Sequence, residues 1–355
     1  MNGGENVVRT RSFARAGFLG NPSDGYFGKT VSFTFREYCV DLRLTESSRL
    51  RFVPGEVDDA TFDSPAQLVR DLRLYGYYGG IRLLKAVTKR FWEYCQKNGL
   101  ALPERNFTAE YRINIPRLVG LSGSSAICSA MLKALMRFYG VEIPIEVAPT
   151  ICLEAEKEEL RINCGFQDRV IQMYNGVVFM DFEKAFVEAN NRGRYERLDP
   201  AKMPNLYVSY DAARAEESGE AHKEVKRLFE AKNADVLAAM SEFADIAQQG
   251  RDAIVAGDVG KIPALVDANF DLRDRIFHVA EENLRMVKAA RKSGASAKFA
   301  GSGGAIVGTY EDDAQYAALE RELASIGCRT FRPTIATTAD ESLGDMGTAA
   351  RWRNS

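Results

Sequence analysis

The amino-acid sequence predicts an α+β protein with two domains. In residues 7–19 and 30–44, β-branched and aromatic residues alternate with polar ones, which is typical of paired strands. From residue 220 to residue 292, apolar residues recur at helical spacing and predict three or four amphipathic helices. A chain of 355 residues is also long enough for roughly two domains, each with its own core.

The other elements of the first half follow from the same two periodicities. Helical spacing begins at residue 64 and is interrupted by the glycine-rich sequence YGYYGG. Apolar runs without strict alternation indicate buried elements. The elements predicted in this way are a helix within 64–95, a second helix at about 145–160 and a buried strand within 175–182.

A polar connector that contains proline, residues 190–204, separates the two halves of the chain. We place the domain boundary within it, so that the predicted domains are residues 1–195 and 196–355. The second half is expected to contain a strand at 205–210, a strand, glycine turn and strand at 297–310, and an edge strand at 328–335. The tail after Thr337 has no clear pattern, and both packing on the first domain and a loose tail are compatible with it.

The composition argues against several kinds of function. The 47 basic and 49 acidic residues leave no electrostatic footprint for nucleic acid or anionic lipid. The six cysteines form no C-x-x-C pair and there are only two histidines, which argues against a zinc site, a disulfide framework and an imidazole triad. No apolar run approaches the roughly 20 residues of a membrane span, and no signal peptide is evident. We expect a cytoplasmic protein that binds a small molecule; its oligomeric state is not predicted.

Residues 116–140, PRLVGLSGSSAICSAMLKALMRFYG, join a glycine and serine cluster directly to a helix. After Ser125, apolar residues recur at intervals of three and four. The helix begins close to Gly120 and Gly123, where free N–H groups and a partial positive charge favour a bound phosphate. A serine-capped core helix after a glycine turn is the structural alternative. The sequence contains no complete P-loop of the form G-x-x-x-x-G-K-[ST].

Three segments resemble, in the same order, the motifs of the GHMP kinases, the superfamily of galactokinase, homoserine kinase, mevalonate kinase and phosphomevalonate kinase. Residues 116–126 are similar to the second motif, P-x-x-x-G-L-x-S-S-A, with Ser122-Gly123 in place of one variable residue. Residues 13–28 and 297–307 are similar to the first and third motifs. The resemblance implies a two-domain fold, with an N-terminal domain like ribosomal protein S5 domain 2, a ferredoxin-like C-terminal domain and the active site between them.

The resemblance also implies phosphoryl transfer from ATP with Mg²⁺. The element CGFQD matches the family segment that carries the catalytic base, which makes Asp168 the predicted base and Arg15 its predicted cationic partner. Ser125 and Glu156 are the implied Mg²⁺ ligands. Without the resemblance, Glu156 would belong to a solvated helix face, Asp168 to a surface pair with Arg169, and Arg15 would be an ordinary strand residue. The implied phosphate-binding residues are Gly120, Leu121, Ser122, Gly123, Ser124, Ser125, Ala126, Gly301, Ser302, Gly303 and Gly304.

The acceptor implied by the resemblance is a sugar acid. Galactokinases carry G-E-H-x-D in the first motif, whereas this sequence has GNPSD, which retains Asp24. The phrases RSFARAGFLGNPSDGYFGKT, GYYGGIRLL and CGFQDRV resemble the glucuronokinases, which make D-glucuronate 1-phosphate and ADP from D-glucuronate and ATP. The acceptor carboxylate requires a cation, and sequence alone does not choose among the candidates. The predicted acceptor contacts are Asp24, Tyr26, Lys29, Arg82 and Arg117, with Arg169, Tyr77 and Tyr78 as further candidates.

Two other functions are compatible with these motifs. A GHMP kinase with another acceptor, such as galacturonate, arabinose, a heptose phosphate or mevalonate, would keep the fold and the chemistry. A catalytically silent protein of the same fold would bind sugar or nucleotide as a sensor. Such a protein is expected to lose its base or metal ligand, so the presence of Asp168, Glu156 and Ser125 argues against it.

Overall fold

The strands of this protein form two sheets, one from each half of the chain. A computed structural model describes residues 7–55, 58, 64–65, 79–211, 219–279 and 281–341. Within these residues, six strands form the first sheet and four form the second. Together with the helices that pack on them, these sheets confirm the predicted α+β class. The strands of the first sheet are β1 Val7–Leu19, β2 Lys29–Ser47, β3 Arg51–Phe52, β4 Asn106–Ile113, β5 Val177–Asp181 and β6 Arg194–Leu198.

The strand β2 holds the first sheet together. It pairs antiparallel with β1, from Val7 opposite Thr45 to Leu19 opposite Val31, and this confirms the predicted pairing of the two strands. It also pairs with β4 along one part of its length and with β5 along another. The β-branched and aromatic residues of β1 and β2 favour extended backbone, and their apolar side chains are buried in the core.

Five helices of the described chain follow β3 and precede β6. Helix α2 begins directly after the glycine and serine cluster and is buried along most of its length, because it packs on β1 and β2 as well as on neighbouring helices. The predicted helix at 145–160 is present as α3 followed by a π-helical turn at 155–159. The helices are α1 Gly80–Lys97, α2 Gly123–Tyr139, α3 Ala148–Glu154, α4 Gln167–Tyr174 and α5 Lys184–Asn190.

The second sheet has the strand order β10, β7, β9, β8. Strand β10 lies at the edge of the described sheet, as predicted for this segment, and four described helices connect β7 to β8. None of the described helices is long and apolar enough to cross a membrane. The elements are β7 Leu206–Asp211, α6 Gly219–Glu230, α7 Ala234–Ala256, α8 Ile262–Phe277, α9 Glu281–Lys292, β8 Lys298–Phe299, β9 Ala305–Thr309, α10 Asp313–Ser325 and β10 Cys328–Phe331.

The chain changes from the first sheet to the second between Leu198 and Leu206. The domain boundary at residue 195 stays a prediction. After β10 the chain returns to the first sheet, where the Gly176 N–H donates to the Ala336 oxygen at 2.7 Å and Ala336 N–H donates to the Thr34 oxygen at 2.9 Å. The predicted candidates Tyr77 and Tyr78, and the tail beyond residue 341, lie outside the described residues.

Candidate active site

The loop between β4 and α2 approaches the loop between β8 and β9 very closely. A β-carbon on Gly120 would lie 2.5 Å from the Gly303 oxygen, and a β-carbon on Gly301 would lie 2.3 Å from the Gly120 oxygen. Gly120 also has a φ of 77°, in the left-handed region that side chains disfavour. The close contact between the two loops therefore requires glycine at both positions, which explains the glycines of the two motifs physically.

A cavity of about 540 Å³ opens beside this contact. Small-molecule sites typically enclose about 300–1,000 Å³. Residues from both halves of the chain form its wall, so segments far apart in sequence face a single space. The predicted site residues in this wall are Arg15, Asp24, Tyr26, Arg117, Gly120, Leu121, Ser122, Gly123, Ser124, Asp168, Gly301 and Ser302, together with the further candidate Arg169.

The other predicted site residues lie away from the wall, as far as the described residues define it. Lys29 donates from Nζ to Gln248 Oε1 at 2.8 Å and lies 3.7 Å from Asp181 Oδ2. Arg82 is partly buried in α1. A β-carbon on Gly304 would lie 2.9 Å from the Val119 α-carbon, so this glycine serves the loop contact. The residues outside the wall are Lys29, Arg82, Ser125, Ala126, Glu156, Gly303 and Gly304.

Asp168 is held by three polar groups in the first turn of α4. Arg15 Nε donates to Oδ1 at 2.6 Å, Ser122 Oγ donates to Oδ2 at 2.6 Å, and Arg169 Nη1 lies 3.8 Å from Oδ2. The side chain remains 21 % exposed. Burial opposes ionisation of the carboxyl, but the charges of both arginines and the hydrogen bonds from Arg15 and Ser122 hold its pKa below the ordinary value. Asp168 is therefore a carboxylate at neutral pH.

Ser122 reaches Asp168 because its backbone adopts an unusual conformation. Its φ of 62° and ψ of 51° are left-handed, which is uncommon outside glycine, and its side chain does not cap α2. Gln172 holds this conformation from α4: its Nε2 donates to the Ser122 oxygen at 2.9 Å and to the Phe13 oxygen at 3.0 Å. One buried amide thus fixes the loop before α2 relative to the helix that carries Asp168.

Arg15 connects all three motif segments. Besides its bond to Asp168, Nη1 donates to the Gly120 oxygen at 2.6 Å and to the Ala300 oxygen at 3.1 Å. The residue is 5 % exposed, and an arginine buried this deeply requires partners for its charge and its donors. Those contacts fix its guanidinium group in one orientation beside the Asp168 carboxylate.

Lys298 makes a second connection between the first and third motifs. Its Nζ donates to the Gly17 oxygen at 2.8 Å, to Asn21 Oδ1 at 2.5 Å and to the Phe299 oxygen at 2.8 Å. Only 1 % of the residue is exposed, and burial lowers its pKa well below the ordinary value. This lysine fixes the loop that precedes Asp24.

Glu156 is fully buried and bound to Arg169. Nε and Nη2 of Arg169 lie 2.7 Å and 2.5 Å from Glu156 Oε2, and Nη1 donates to the Gly165 oxygen at 3.0 Å. The second oxygen of the carboxylate, Oε1, has no hydrogen-bond partner. Ser125 is also buried, and its hydroxyl donates to the Ser122 oxygen at 3.3 Å. Glu156 Oε1 is therefore a buried carboxylate oxygen whose hydrogen-bonding capacity is unused among the described residues.

Asp24 and Tyr26 lie in a 3₁₀ turn at Ser23–Tyr26, and both line the cavity. Gln167 N–H donates to Asp24 Oδ2 at 3.2 Å. Burial raises the pKa of Asp24 to about 6, and the charge of Asp168 adds to the effect. The Tyr26 ring packs edge-on against Phe229 of α6, with the ring centroids 4.9 Å apart. Helix α6 therefore packs on the turn that carries Asp24.

The sequence analysis did not identify several residues of this site. Lys157, Lys226 and Arg273 line the cavity, but nothing in the sequence assigns a role to any of the three. Gln172 follows Asp168 by one helical turn, and this spacing was the available signal for it. Its two acceptors come from distant segments of the chain, so the sequence could not name them.

The variant Asp24→Asn is expected to be more stable than the wild type at neutral pH, by about 1–3 kcal/mol. The pKa of Asp24 is about 6 in the folded protein and near 3.8 in a model peptide. The folded state therefore binds this proton more tightly, and wild-type stability falls as the pH rises through this interval.

Chemical denaturation at pH 4 and pH 7.5 should show a difference between variant and wild type that grows with pH. Asp271→Asn, at a carboxyl whose side chain is 62 % exposed, is the control, and a difference that does not change with pH would contradict the expectation.

Comparisons with known proteins identify relatives of this chain. The family model described as GHMP kinases N terminal domain matches residues 82–176. The chain is 46 % identical over 308 residues to a protein named probable glucuronokinase 2 from Arabidopsis thaliana, covering 85 % of this chain and 84 % of the relative. It is 42 % identical over 328 residues to glucuronokinase 1 from the same plant, covering 90 % of each. The fold is also similar to that of Streptococcus pneumoniae phosphomevalonate kinase in complex with phosphomevalonate and AMPPNP, with a TM-score of 0.71, 14 % identity and coverage of 92 % of this chain and 99 % of the other.

Proposed function

The chain belongs to the GHMP kinases and is a sugar kinase, and from this premise we propose that it transfers the γ-phosphoryl group of ATP to the anomeric hydroxyl of D-glucuronate. The products would be D-glucuronate 1-phosphate and ADP. The names of the two plant relatives support this acceptor, and their identity extends over most of the chain. The observation that carries the proposal is the Asp168 carboxylate, bound to Arg15 in the cavity wall close to the start of α2.

In this proposal Asp168 is the general base. It accepts the proton of the anomeric hydroxyl while the new O–P bond forms and the bond to the ADP oxygen breaks. Its low pKa keeps it ionised but makes it a weak base, which suits a transition state in which the proton leaves late. Arg15 orients the carboxylate, and the acceptor hydroxyl takes the position that the Ser122 hydroxyl holds at Oδ2.

The start of α2 supports the binding of the ATP phosphates. The first backbone N–H groups of a helix have no partner inside it and carry partial positive charge. Here these groups belong to Gly123, Ser124 and Ser125, and the first two of these residues line the cavity. The close contact with the loop at Gly301 leaves little freedom for the phosphate loop to move, which favours a preformed site.

The described residues fit one Mg²⁺ ion that binds together with the nucleotide. Mg²⁺ usually takes one or two protein carboxylates, with phosphate and water oxygens as its other ligands. The unpartnered Glu156 Oε1 suits such a ligand, and Ser125 provides a hydroxyl oxygen. The described residues contain no group of three or more His, Cys, Asp or Glu side chains that could hold a metal without the nucleotide. When bound, the ion would offset the negative charge of the phosphates.

A panel of acceptors tests this function. The purified protein is mixed with Mg-ATP and one of D-glucuronate, D-galacturonate, galactose, arabinose, a heptose phosphate or mevalonate, and ADP release is followed. Phosphorus NMR then identifies the oxygen that carries the new phosphate. We expect D-glucuronate to give the highest kcat/KM and a 1-phosphate product. A higher kcat/KM with another acceptor, or a phosphate on another oxygen of D-glucuronate, would overturn the proposed acceptor chemistry.

A further inference from the structure

Six basic side chains of the described residues line the cavity, and the charge of a sugar acid requires at least one of them. The acceptor side already carries two carboxyl groups, Asp24 and Asp168, which repel a third negative charge. An anionic acceptor therefore depends on a cation that is not already bound to the protein. Among the described residues, the basic side chains in the wall are Arg15, Arg117, Lys157, Arg169, Lys226 and Arg273.

Three of the arginines are already bound to acceptors of the protein. Arg15 donates to Asp168 and to two backbone oxygens, and Arg169 donates to Glu156 and to the Gly165 oxygen. Arg273 donates from Nη1 to the Gly301 oxygen at 2.9 Å and from Nη2 to the Ser302 oxygen at 3.0 Å. These contacts fix the loops of the site, so a ligand could recruit these side chains only by breaking them.

Two of the other cations adjoin the segments to which the proposed function assigns the nucleotide and its metal. Arg117 precedes Gly120 by three residues in the loop that leads to α2. Lys157 follows Glu156 directly in the π-helical turn at 155–159. We therefore assign both to the nucleotide rather than to the acceptor sugar.

Lys226 lies on the acceptor side. It precedes Phe229 by three residues in α6, so the two side chains share one face of the helix. Phe229 packs on Tyr26, which places Lys226 beside the turn that carries Asp24. Lys226 is exposed and lines the cavity, and no described residue accepts a hydrogen bond from it or forms an ion pair with it. Glu230, on the same helix, also lies near Tyr26 but forms no ion pair with Lys226.

We propose that Lys226 binds the carboxylate of the acceptor and thereby selects a sugar acid over a neutral sugar. This inference rests on the proposed function. The anomeric hydroxyl lies at Asp168 in that proposal, and the carboxylate, which is on the ring carbon across the ring oxygen from the anomeric carbon, lies toward the turn at Ser23–Tyr26 and α6. Lys226, in the second half of the chain, then binds the carboxylate of the acceptor, and Asp168, in the first half, binds its anomeric hydroxyl.

The test compares two acceptors that differ at the carboxylate. D-Glucuronate and D-glucose have the same ring hydroxyls, and kcat and KM are measured for both with the full-length protein; glucose is measured as a competitive inhibitor if its turnover is too slow. The variants are Lys226→Met, which removes the charge at similar length, and Lys226→Arg, which keeps it. Lys223→Met removes an exposed lysine of the same helix that does not line the cavity and is the matched control. Lys157→Met tests the other lysine in the described part of the cavity wall.

We expect Lys226→Met to raise the KM for D-glucuronate about 10- to 100-fold, with little change in kcat. This is the loss of affinity that corresponds to removing one hydrogen bond to a charged group. The constants for glucose should not change, Lys226→Arg should keep most of the affinity, and Lys223→Met should behave as the wild type. An unchanged ratio of D-glucuronate to glucose in Lys226→Met would overturn the inference while the proposed function stands, as would a loss found in Lys157→Met instead. A wild type that does not prefer D-glucuronate to glucose would overturn the proposed function itself, and the inference with it.

Discussion

The variant Asp168→Asn is expected to lose about 10²- to 10⁴-fold in kcat, the usual contribution of a general base. An amide at this position can still accept the hydrogen bond from Arg15, but it cannot accept the proton of the acceptor hydroxyl. The effect should therefore fall on kcat, while nucleotide binding persists. Steady-state kinetics with D-glucuronate and a separate titration with an ATP analogue measure the two quantities.

The control for this variant is Asp271→Asn, the same chemical change at a carboxylate whose side chain is 62 % exposed, which pairs with Arg291 and does not line the cavity. It should leave kcat within about twofold of the wild type, because exposed ion pairs contribute little. A melting curve shows whether Asp168→Asn remains folded, since the variant leaves the buried Arg15 charge without its carboxylate. A folded Asp168→Asn variant with near-normal kcat would exclude Asp168 as the base.

The variant Glu341→Gln is expected to lose about 3–5 kcal/mol of the free energy of unfolding, because it leaves the buried charge of Lys133 without its carboxylate. Lys133 lies in α2, and its Nζ contacts Glu341 Oε1 and donates to the Gln172 oxygen at 2.8 Å. Asn175 Nδ2 also donates to Glu341 Oε1, at 2.6 Å. Lys133 and Glu341 are each only 7 % exposed. The segment after β10 is thereby tied to both α2 and α4.

Chemical denaturation of Glu341→Gln beside the wild type measures this loss. Glu188→Gln makes the same change at an exposed ion pair with Lys184 and should cost less than about 1 kcal/mol. Burial already lowers the pKa of Lys133, and the loss of Glu341 should lower it further. Lys133 then keeps its proton to higher pH in the unfolded chain than in the folded variant, and the free energy of unfolding rises with pH in that interval. The difference in stability between variant and wild type should therefore become smaller at alkaline pH. A deficit equal to that of Glu188→Gln would show that the pair does not stabilise the fold.

Local patterns in the sequence were sufficient for much of the fold. The alternation in residues 7–19 and 30–44 predicted the pairing of β1 and β2, because side chains in a strand alternate between its two faces whatever the strand pairs with. The edge strand β10 and the helices of the second half were predicted on the same basis. The three motif segments indicated the family, and the comparisons confirmed it.

The sequence did not predict the partners of the site residues. Arg15 and Asp168 are 153 residues apart, and Arg15 and Ala300 are 285 apart, so no local pattern encodes their contacts. In the sequence, Lys29 and Arg82 are as suitable as Lys226 for the cation that the acceptor carboxylate requires. The packing of α6 on Tyr26, which brings Lys226 to the cavity, depends on a contact between the two halves of the chain.

The sequence by itself determined the strands, most of the helices and the glycine positions of the two loops, because backbone periodicity and the need for glycine are properties of short segments. The tertiary structure alone decided the left-handed Ser122, the burial of Glu156 against Arg169 and the return of Glu341 to Lys133. The first depends on a hydrogen bond from a distant helix, and the other two depend on how much water the folded chain excludes around a charged group. Burial strengthens electrostatic interactions and makes unpartnered groups costly, so the folded environment determines which charged side chains must pair and which stay available to a ligand.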